Sequence, residues 1–418
     1  MSERLRSEKL RAEKLVPATS TPGLRPLPLP LLAQVLERLR PERTETLLTD
    51  LIDIYSPCWG EQEVQELVFR YLDAHGARVE KQPVGERGRF NVIARTGEGP
   101  VGLLLLGHID TVVKWYQGDH RARREGSVLR GLGSSDMKSG CAAMIEAFLS
   151  LSQVPDPVGA PSIALALVVG EEDEGDGIRA LLEVMAPEVA VVGEPTSMRL
   201  CPAHYGYLEV LLTTHGRRAH SALPEIGRNA IEAMMAVITG LMGPLSNGDN
   251  ASERPGLVCN LRELRGGGNA FVVPEYCEAV LDLHLPPEVT LARVKEEMRH
   301  RVRALASQHP QHHCQAKFKF GFNGYRLLES DPEIAPLLEA CVDVSFQPKR
   351  DVFRSHSDAN CLWHQGTRPI VIGPGDLTTA HTIDERVVLK ELHQATQLYA
   401  AMGVRYRASR DARLRPER

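Results

Sequence analysis

The chain has nothing that resembles a disulfide framework. Its eight cysteines are scattered and no two form a CxxC pair, which also argues against a structural zinc site built from thiolates. A cytoplasmic protein with reduced thiols is the default expectation. No apolar run approaches the roughly 20 residues that cross a bilayer, so no membrane association is expected. The amino terminus, MSERLRSEKLRAEKLVPATSTPGLRPLPLP, lacks the apolar stretch of a secretory signal, and its glutamates argue against an organelle transit peptide. Positive charge is not in excess either: a formal net charge of −5 leaves no overall attraction for nucleic acid. There is no internal repeat. The one biased segment is the tail, residues 1–30, whose charge and proline content read as mobile, with Ser7 to Leu15 a candidate short helix.

What is present is the composition of a soluble globular protein, 43% hydrophobic and 25% charged, and 418 residues suggest two domains. From Leu31 to His75 the pattern is helical, closing at Gly76 as a C-cap. ARVEKQPVG and RFNVIARTG alternate as strands, and VGLLLLG is a continuous apolar run, the mark of a strand buried on both faces. A buried helix is expected from Cys141 to Leu151, and SIALALVVG and VAVVG are two further buried strands. Buried strands alternating with helices imply an α/β layered sheet, whose strand carboxyl ends are where sites are built. After about Tyr205 the character changes. Amphipathic strands and two helices, GRNAIEAMMAVITGLMG and LARVKEEMRHRVRALASQ, make an α+β unit over residues 206–321. The α/β character then returns with DPEIAPLLEACVDV as a helix, RPIVIG as a buried strand and a last helix from Leu389 to Met402. The second unit is thus expected to be inserted into the first, which spans 31–205 and 322–410.

Each buried strand of the α/β part ends on acidic or imidazole groups. LLLLG leads to His108 and Asp110, LALVVG to Glu171 and Glu172, and VAVVG to Glu194; Asp136 precedes a helix, and His381 lies in the polar loop TTAHTIDE. An HxD pair alone is weak, and an acidic GEEDEGDG loop alone is usually a solvated turn. Convergence of five such strand ends and loops on nitrogen and oxygen donors is another matter. Such a set without cysteine suits Zn²⁺, Co²⁺ or Mn²⁺, and more than four groups suggest two ions sharing a bridging carboxylate.

GHIDTV, SDMKSG, GEEDEG, VVGEPTS and AHTIDE stand in an order and spacing that resemble the co-catalytic zinc aminoacylase and peptidase family, which includes acetylornithine deacetylase, succinyl-diaminopimelate desuccinylase and carboxypeptidase G. The resemblance runs from about Leu47 to Ala401 and is greatest to acetylornithine deacetylase-like members, through VVGEPTS, RAHSALPEIGRNAIE and IGPGDLTTAHTIDE. It implies a layered mixed-sheet, zinc-peptidase-like catalytic domain with an inserted α+β lid or dimerisation domain. It further implies that His108 and Glu194 ligate one metal, Glu172 and His381 the other, and that Asp136 bridges them. Asp110 would orient His108, and Glu171 would be the general base toward a bridging water. His220, in GRRAHSALP, would come from the partner subunit of a homodimer and polarise the scissile carbonyl. The alternative for His220 is a surface histidine ahead of a helix that Ser221 caps.

The chain departs from the family where substrate is held. In GGGNAFVVPEYCEAVLDLHLPP, Phe271 stands where the family has Asn and His284 where it has Arg, although Asn269 lies two residues before Phe271. A guanidinium fork binds carboxylate at any pH, whereas imidazole is only partly charged near pH 7. Arg262, Arg265 or Arg354 are candidates to substitute. His356, Ser357 and Asp358, in RSHSDAN, occupy a loop that lines the substrate pocket in relatives, so Ser357 is a further candidate contact. The expected activity is metal-dependent hydrolysis of the amide of an N-acyl amino acid or similar small substrate. A dipeptidase or carboxypeptidase with the same metal core is the alternative among enzymes, and a metal-binding protein without catalysis the alternative outside them.

Overall fold

A computed structural model describes residues 29–414 apart from 87, 116–117, 155–160, 248–255, 269 and 309–312. The candidate helix Ser7 to Leu15, most of the 1–30 tail and Asn269 lie outside the described residues.

Among these residues the larger sheet has nine strands and is mixed. Its centre is Val101–His108, all of it buried, as the leucine run requires. Ser162–Val168 lies parallel on one side, with His108 opposite Val168, and Val189–Val192 lies parallel on the other. Arg368–Val371 continues the parallel set beyond Val189–Val192. Phe90–Arg95 and Val79–Pro83 extend the first side antiparallel, and Leu200–His204, Arg350–Phe353 and Tyr325–Arg326 complete the other. Helices cover the faces: Lys138–Ser152 is almost wholly buried, and Leu389–Leu414 packs on it, running well beyond Met402. The segment expected as helical from Leu31 is three helices, Leu29–Leu36, Pro41–Asp53 and Gln62–Ala74, and Gly76 takes the left-handed φ of +78° that a C-cap needs. A three-stranded sheet of Arg123–Glu125, Val128–Arg130 and Arg386–Val388 carries no sequence signal of its own; its strands are too short to show a period.

The second sheet has the order Val258–Gly266, Tyr276–Leu285, Gly206–His215, His313–Phe322, with Ala230–Asn247 and Leu291–Gln308 packed against it. Its buried cluster, from Leu208 to Val302, is separate from the larger core. Gly206–His215 alternates between buried and half-buried positions, as a sheet with one covered face should.

One contact ties the larger core to the strand ends. Helix Lys138–Ser152 crosses the end of Val189–Val192 at Gly140, where a Cβ would run into the carbonyl oxygen of Gly193, the residue before Glu194. Gly140→Ala should therefore push the helix off the Glu194 turn. A loss of about 1–3 kcal/mol, as overpacking typically costs, is expected in the denaturant midpoint, with the slope of the transition unchanged.

Candidate metal centre

The parallel strands place their carboxyl ends along one edge of the sheet, and the acidic and imidazole groups gather there. His108 ends its strand with the ring buried. Its Nε2 lies 3.2 Å from Asp136 Oδ1 and 3.9 Å from Glu171 Oε2. His381, half-exposed and at a left-handed φ of +61°, sets its Nε2 at 2.9 Å from Glu172 Oε1 and 3.4 Å from Asp136 Oδ2. Two donor groups result, His108 with Asp136 and Glu194, and Asp136 with Glu172 and His381, each with its ligand atoms within 4.8 Å of one another. Asp136 belongs to both.

Loops hold these groups in place. The turn carrying Glu171 and Glu172 starts at Gly170, whose φ is +73° and where a side chain would strike Asp176. Arg89, buried, braces the turn by pairing with Asp176 and, at 2.7 Å, with the buried Glu61, while the Trp59 ring lies 4.3 Å from the guanidinium. Nothing in the sequence marks Arg89, because its partners are 28 and 87 residues away. Asp110 meets His108 mainly through its backbone: Nδ1 lies 3.1 Å from the Asp110 carbonyl oxygen and 3.7 Å from the carboxylate. The Asp110 carboxylate instead accepts from the Glu172 N–H at 3.0 Å and from the Cys58 thiol at 3.2 Å, and its buried Oδ1 has no hydrogen-bond partner among the described residues. Glu385, inside AHTIDE, is a second residue that motif reading passes over. Its buried carboxylate accepts from the backbone N–H groups of Ser135 and Asp136 at 3.0 and 3.1 Å.

The electrostatics of the cluster are unbalanced. Burial, reinforced by Glu194, Asp358 and Glu172 against the pull of His108, holds the Glu171 carboxyl well above the usual range. Burial and Asp136 raise Glu194 likewise, and burial raises Glu172 despite His381. Asp358, buried at the start of helix Asp358–His364, is pushed up to about 7 by burial and by Asp110. The imidazoles absorb part of the excess. Burial alone would lower both, yet the facing carboxylates hold His108 well above its ordinary value and push His381 up to about 11. Asp136, between the two rings, is held well below the usual range in spite of its burial. Buried carboxylates that outnumber their cations, with nitrogen and oxygen donors only, fit divalent ions.

The other expected site residues belong to neither donor group. His220 is exposed, and its Nδ1 accepts from the Ala222 N–H at 3.1 Å, which leaves Nε2 as the donor. Only the short turn Pro224–Ile226 follows it, with no side-chain cap from Ser221. Ser357 caps helix Asp358–His364 and meets His204 Nε2 at 2.8 Å, so its hydroxyl is already engaged. His284 faces Tyr207 at 5.5 Å between ring centroids; its Nδ1 is buried without a partner, and burial lowers its pKa. Phe271 is exposed, with a φ of +62°. Arg262 is paired with Glu209 and Asp282, and Arg265 with Glu263. Arg354 is exposed, lies 6.0 Å from the Tyr205 ring and has no carboxylate partner among the described residues.

Residues 104–404 match the profile of peptidase family M20/M25/M40. The chain belongs to this family. It is accordingly a metal-dependent hydrolase of linear amide bonds. It is 28% identical over 347 residues to an acetylornithine deacetylase from Proteus mirabilis, covering 79% of this chain and 87% of that one. Its fold is similar to that of a tripeptidase from Staphylococcus aureus, with a TM-score of 0.72 at 18% identity over 88% of this chain and 100% of that one. A dinuclear metal binding peptidase of the M20 family from Bacillus subtilis aligns with a TM-score of 0.63 at 15% identity, covering 87% and 97%. No described helix is long and apolar enough to cross a membrane.

The raised groups fix the sign of a pH effect. Without an ion the raised groups favour their protonated forms, His381 most plainly with a pKa pushed up to about 11, and a cation must displace those protons. Metal affinity should rise with pH, about tenfold per unit for each proton released. Titration calorimetry in buffers of different ionisation enthalpy should register that release, and a buffer-independent heat would contradict it.

Proposed function

We propose that the chain removes the acyl group of an N-acyl amino acid or similarly small amide, as a deacetylase- or deacylase-type amidohydrolase with two divalent ions. The observation that carries this reading is Asp136, one carboxylate facing histidines from a strand end and a distant loop, Oδ1 toward His108 and Oδ2 toward His381. His108 and Glu194 would hold one ion, Glu172 and His381 the other, with Asp136 shared. The donor set suits Zn²⁺ first, then Co²⁺ or Mn²⁺. When bound, such ions polarise an amide carbonyl and make water more acidic.

The chain's own residues do the rest. Glu171, 3.9 Å from His108 Nε2, takes the proton of the attacking water and passes it to the leaving amine nitrogen. Burial and its acidic neighbours raise its proton affinity, which helps a carboxylate that must accept a proton and hold it until the amine leaves. Asp110 fixes the His108 ring through its carbonyl, so Nε2 faces the centre. At the far end of the substrate, Arg354 takes the carboxylate contact that His284, whose charged form burial disfavours, makes poorly. The deacetylase from Proteus mirabilis supports the acyl amino-acid class. The fold likeness to the tripeptidase favours the second reading, a dipeptidase or carboxypeptidase built on the same core. An inactive metal-binding homologue is disfavoured because Glu171 stands beside a full donor set.

The remaining features join this reading. Residues 206–321 act as an inserted lid and dimerisation unit within a catalytic domain of 31–205 and 322–410. His220, with Nε2 free to donate, reaches the metal centre of a second copy. The absence of disulfides among the eight cysteines supports a cytoplasmic setting.

Hydrolysis of an N-acyl amino acid panel beside a dipeptide panel, with Zn²⁺, Co²⁺ or Mn²⁺ supplied, decides between the two enzyme readings; turnover confined to dipeptides overturns the first. Glu171→Gln should keep its ions and lose about 10²- to 10⁴-fold in kcat, and full activity in that variant would sink the base assignment. Mixing Glu171→Gln with His220→Ala subunits should restore part of the activity. No recovery despite proven subunit exchange would rule out action in trans.

A further inference from the structure

The loop that carries Asp136 and the loop that carries His381 are joined on both sides of the histidine. Before it, the Ser135 hydroxyl donates to the Asp376 carbonyl at 3.1 Å and accepts from the Asp376 N–H at 2.8 Å. Gly375, at a φ of +91°, allows this approach, since a Cβ there would lie 2.5 Å from Ser135 Oγ. After it, the Glu385 carboxylate reaches back with Oε1 to the N–H groups of Ser135 and Asp136, and the Glu385 carbonyl accepts from the Gly131 N–H at 3.3 Å. Glu385 is 1% exposed. A carboxylate is an expensive group to bury with only backbone donors, here the N–H groups of Ser135 and Asp136 with Gly133 beside them. Lys138, whose charge favours Glu385, spends its ammonium on the carbonyls of Leu51 and Ile54 at 2.8 and 2.9 Å. A residue kept at that cost for packing alone would be better apolar.

We infer that Glu385 is a positioning residue of the metal centre: by pinning the backbone of Ser135 and Asp136 it sets the Asp136 carboxylate against His381 before any ion arrives. The inference rests on the reading of Asp136 as the shared ligand. Without the pin, residues 133–137 are free to rotate the Asp136 side chain toward one histidine at the expense of the other. A centre that depends on one carboxylate serving two ions then loses its preorganisation. What matters is the reach of an acceptor to two N–H groups, not negative charge as such.

Two conservative variants separate reach from charge. Glu385→Gln keeps the length and an oxygen acceptor but not the charge; Glu385→Asp keeps the charge and draws the acceptor back by one methylene. Binding of Co²⁺ to full-length protein, read by calorimetry and by the visible absorption of the bound ion, is the measurement. Glu385→Gln should match the parent protein in stoichiometry, affinity and spectrum. Glu385→Asp should bind about 10- to 100-fold more weakly, with an altered spectrum. The reverse order would assign Glu385 an electrostatic role and overturn the inference. So would a Glu385→Asp protein with a lowered melting temperature but parental Co²⁺ affinity and spectrum, since that marks a purely structural residue. Asp136→Ala run in parallel tests the underlying reading separately. If it still binds two ions with parental affinity, the shared-ligand assignment fails and the inference with it.

Discussion

Everything near the strand ends depends on one imbalance, a buried group of carboxylates facing too few cations. Asp136, Glu171, Glu172, Glu194 and Asp358 lie within each other's fields, with His108 and His381 as the imidazoles among them. Isolated ionised carboxylates at such depth would cost several kcal/mol each. Burial and like-charged neighbours therefore raise Glu171, Glu172 and Glu194, and the facing carboxylates raise both imidazoles. A fold selected for stability alone would not assemble this edge. Divalent ions remove the imbalance without protons, so the arrangement makes sense as a binding site and poorly as anything else.

The sheet makes the imbalance tolerable by being rigid. Val101–His108, Ser162–Val168, Val189–Val192 and Arg368–Val371 are parallel and buried, and their apolar side chains leave no room for the edge to relax. Repulsion among the acids is therefore borne by the loops. Arg89 with Glu61 and Asp176 restrains one of them, and Glu385 with Ser135 restrains another. Both restraints are made of buried polar groups, which bring specificity of geometry more than net stability. The division of labour runs from apolar strands that aim, through polar braces that hold, to acids that bind.

The strand ends were legible in the sequence because each of these apolar runs stops on an acidic or imidazole group. His108, Glu171, Glu172 and Glu194 are named by the pattern itself, and the second sheet with its two helices was visible as a change of period after Tyr205. What escaped was everything set by chain segments meeting across long intervals. Glu385 and Asp136 are separated by 249 residues, and no periodicity links them. The orientation of His108 by the Asp110 carbonyl was missed for another reason: a motif names side chains, and the bond is made by the backbone. The three-stranded sheet went unseen because three-residue strands have no period to read.

The substrate end follows from the same electrostatics. His284 lies among Tyr207 and, beyond it, His356 and Phe322, rings whose centroids are about 5.5 Å apart, so desolvation lowers both imidazoles and leaves this wall uncharged. A neutral wall gives an anionic substrate no attraction of its own unless a cation answers it. Arg262 and Arg265 are committed to carboxylates of their own sheet. Arg354 is not, and it is held at the start of the loop whose other end, Asp358, senses the metal centre. On the proposed reading, in which Arg354 answers the substrate carboxylate, the positive charge stands on that loop and not on the sheet that holds Arg262 and Arg265. Under that reading substrate binding would depend less on where residues 206–321 lie, while the carbonyl contact proposed for His220 still would.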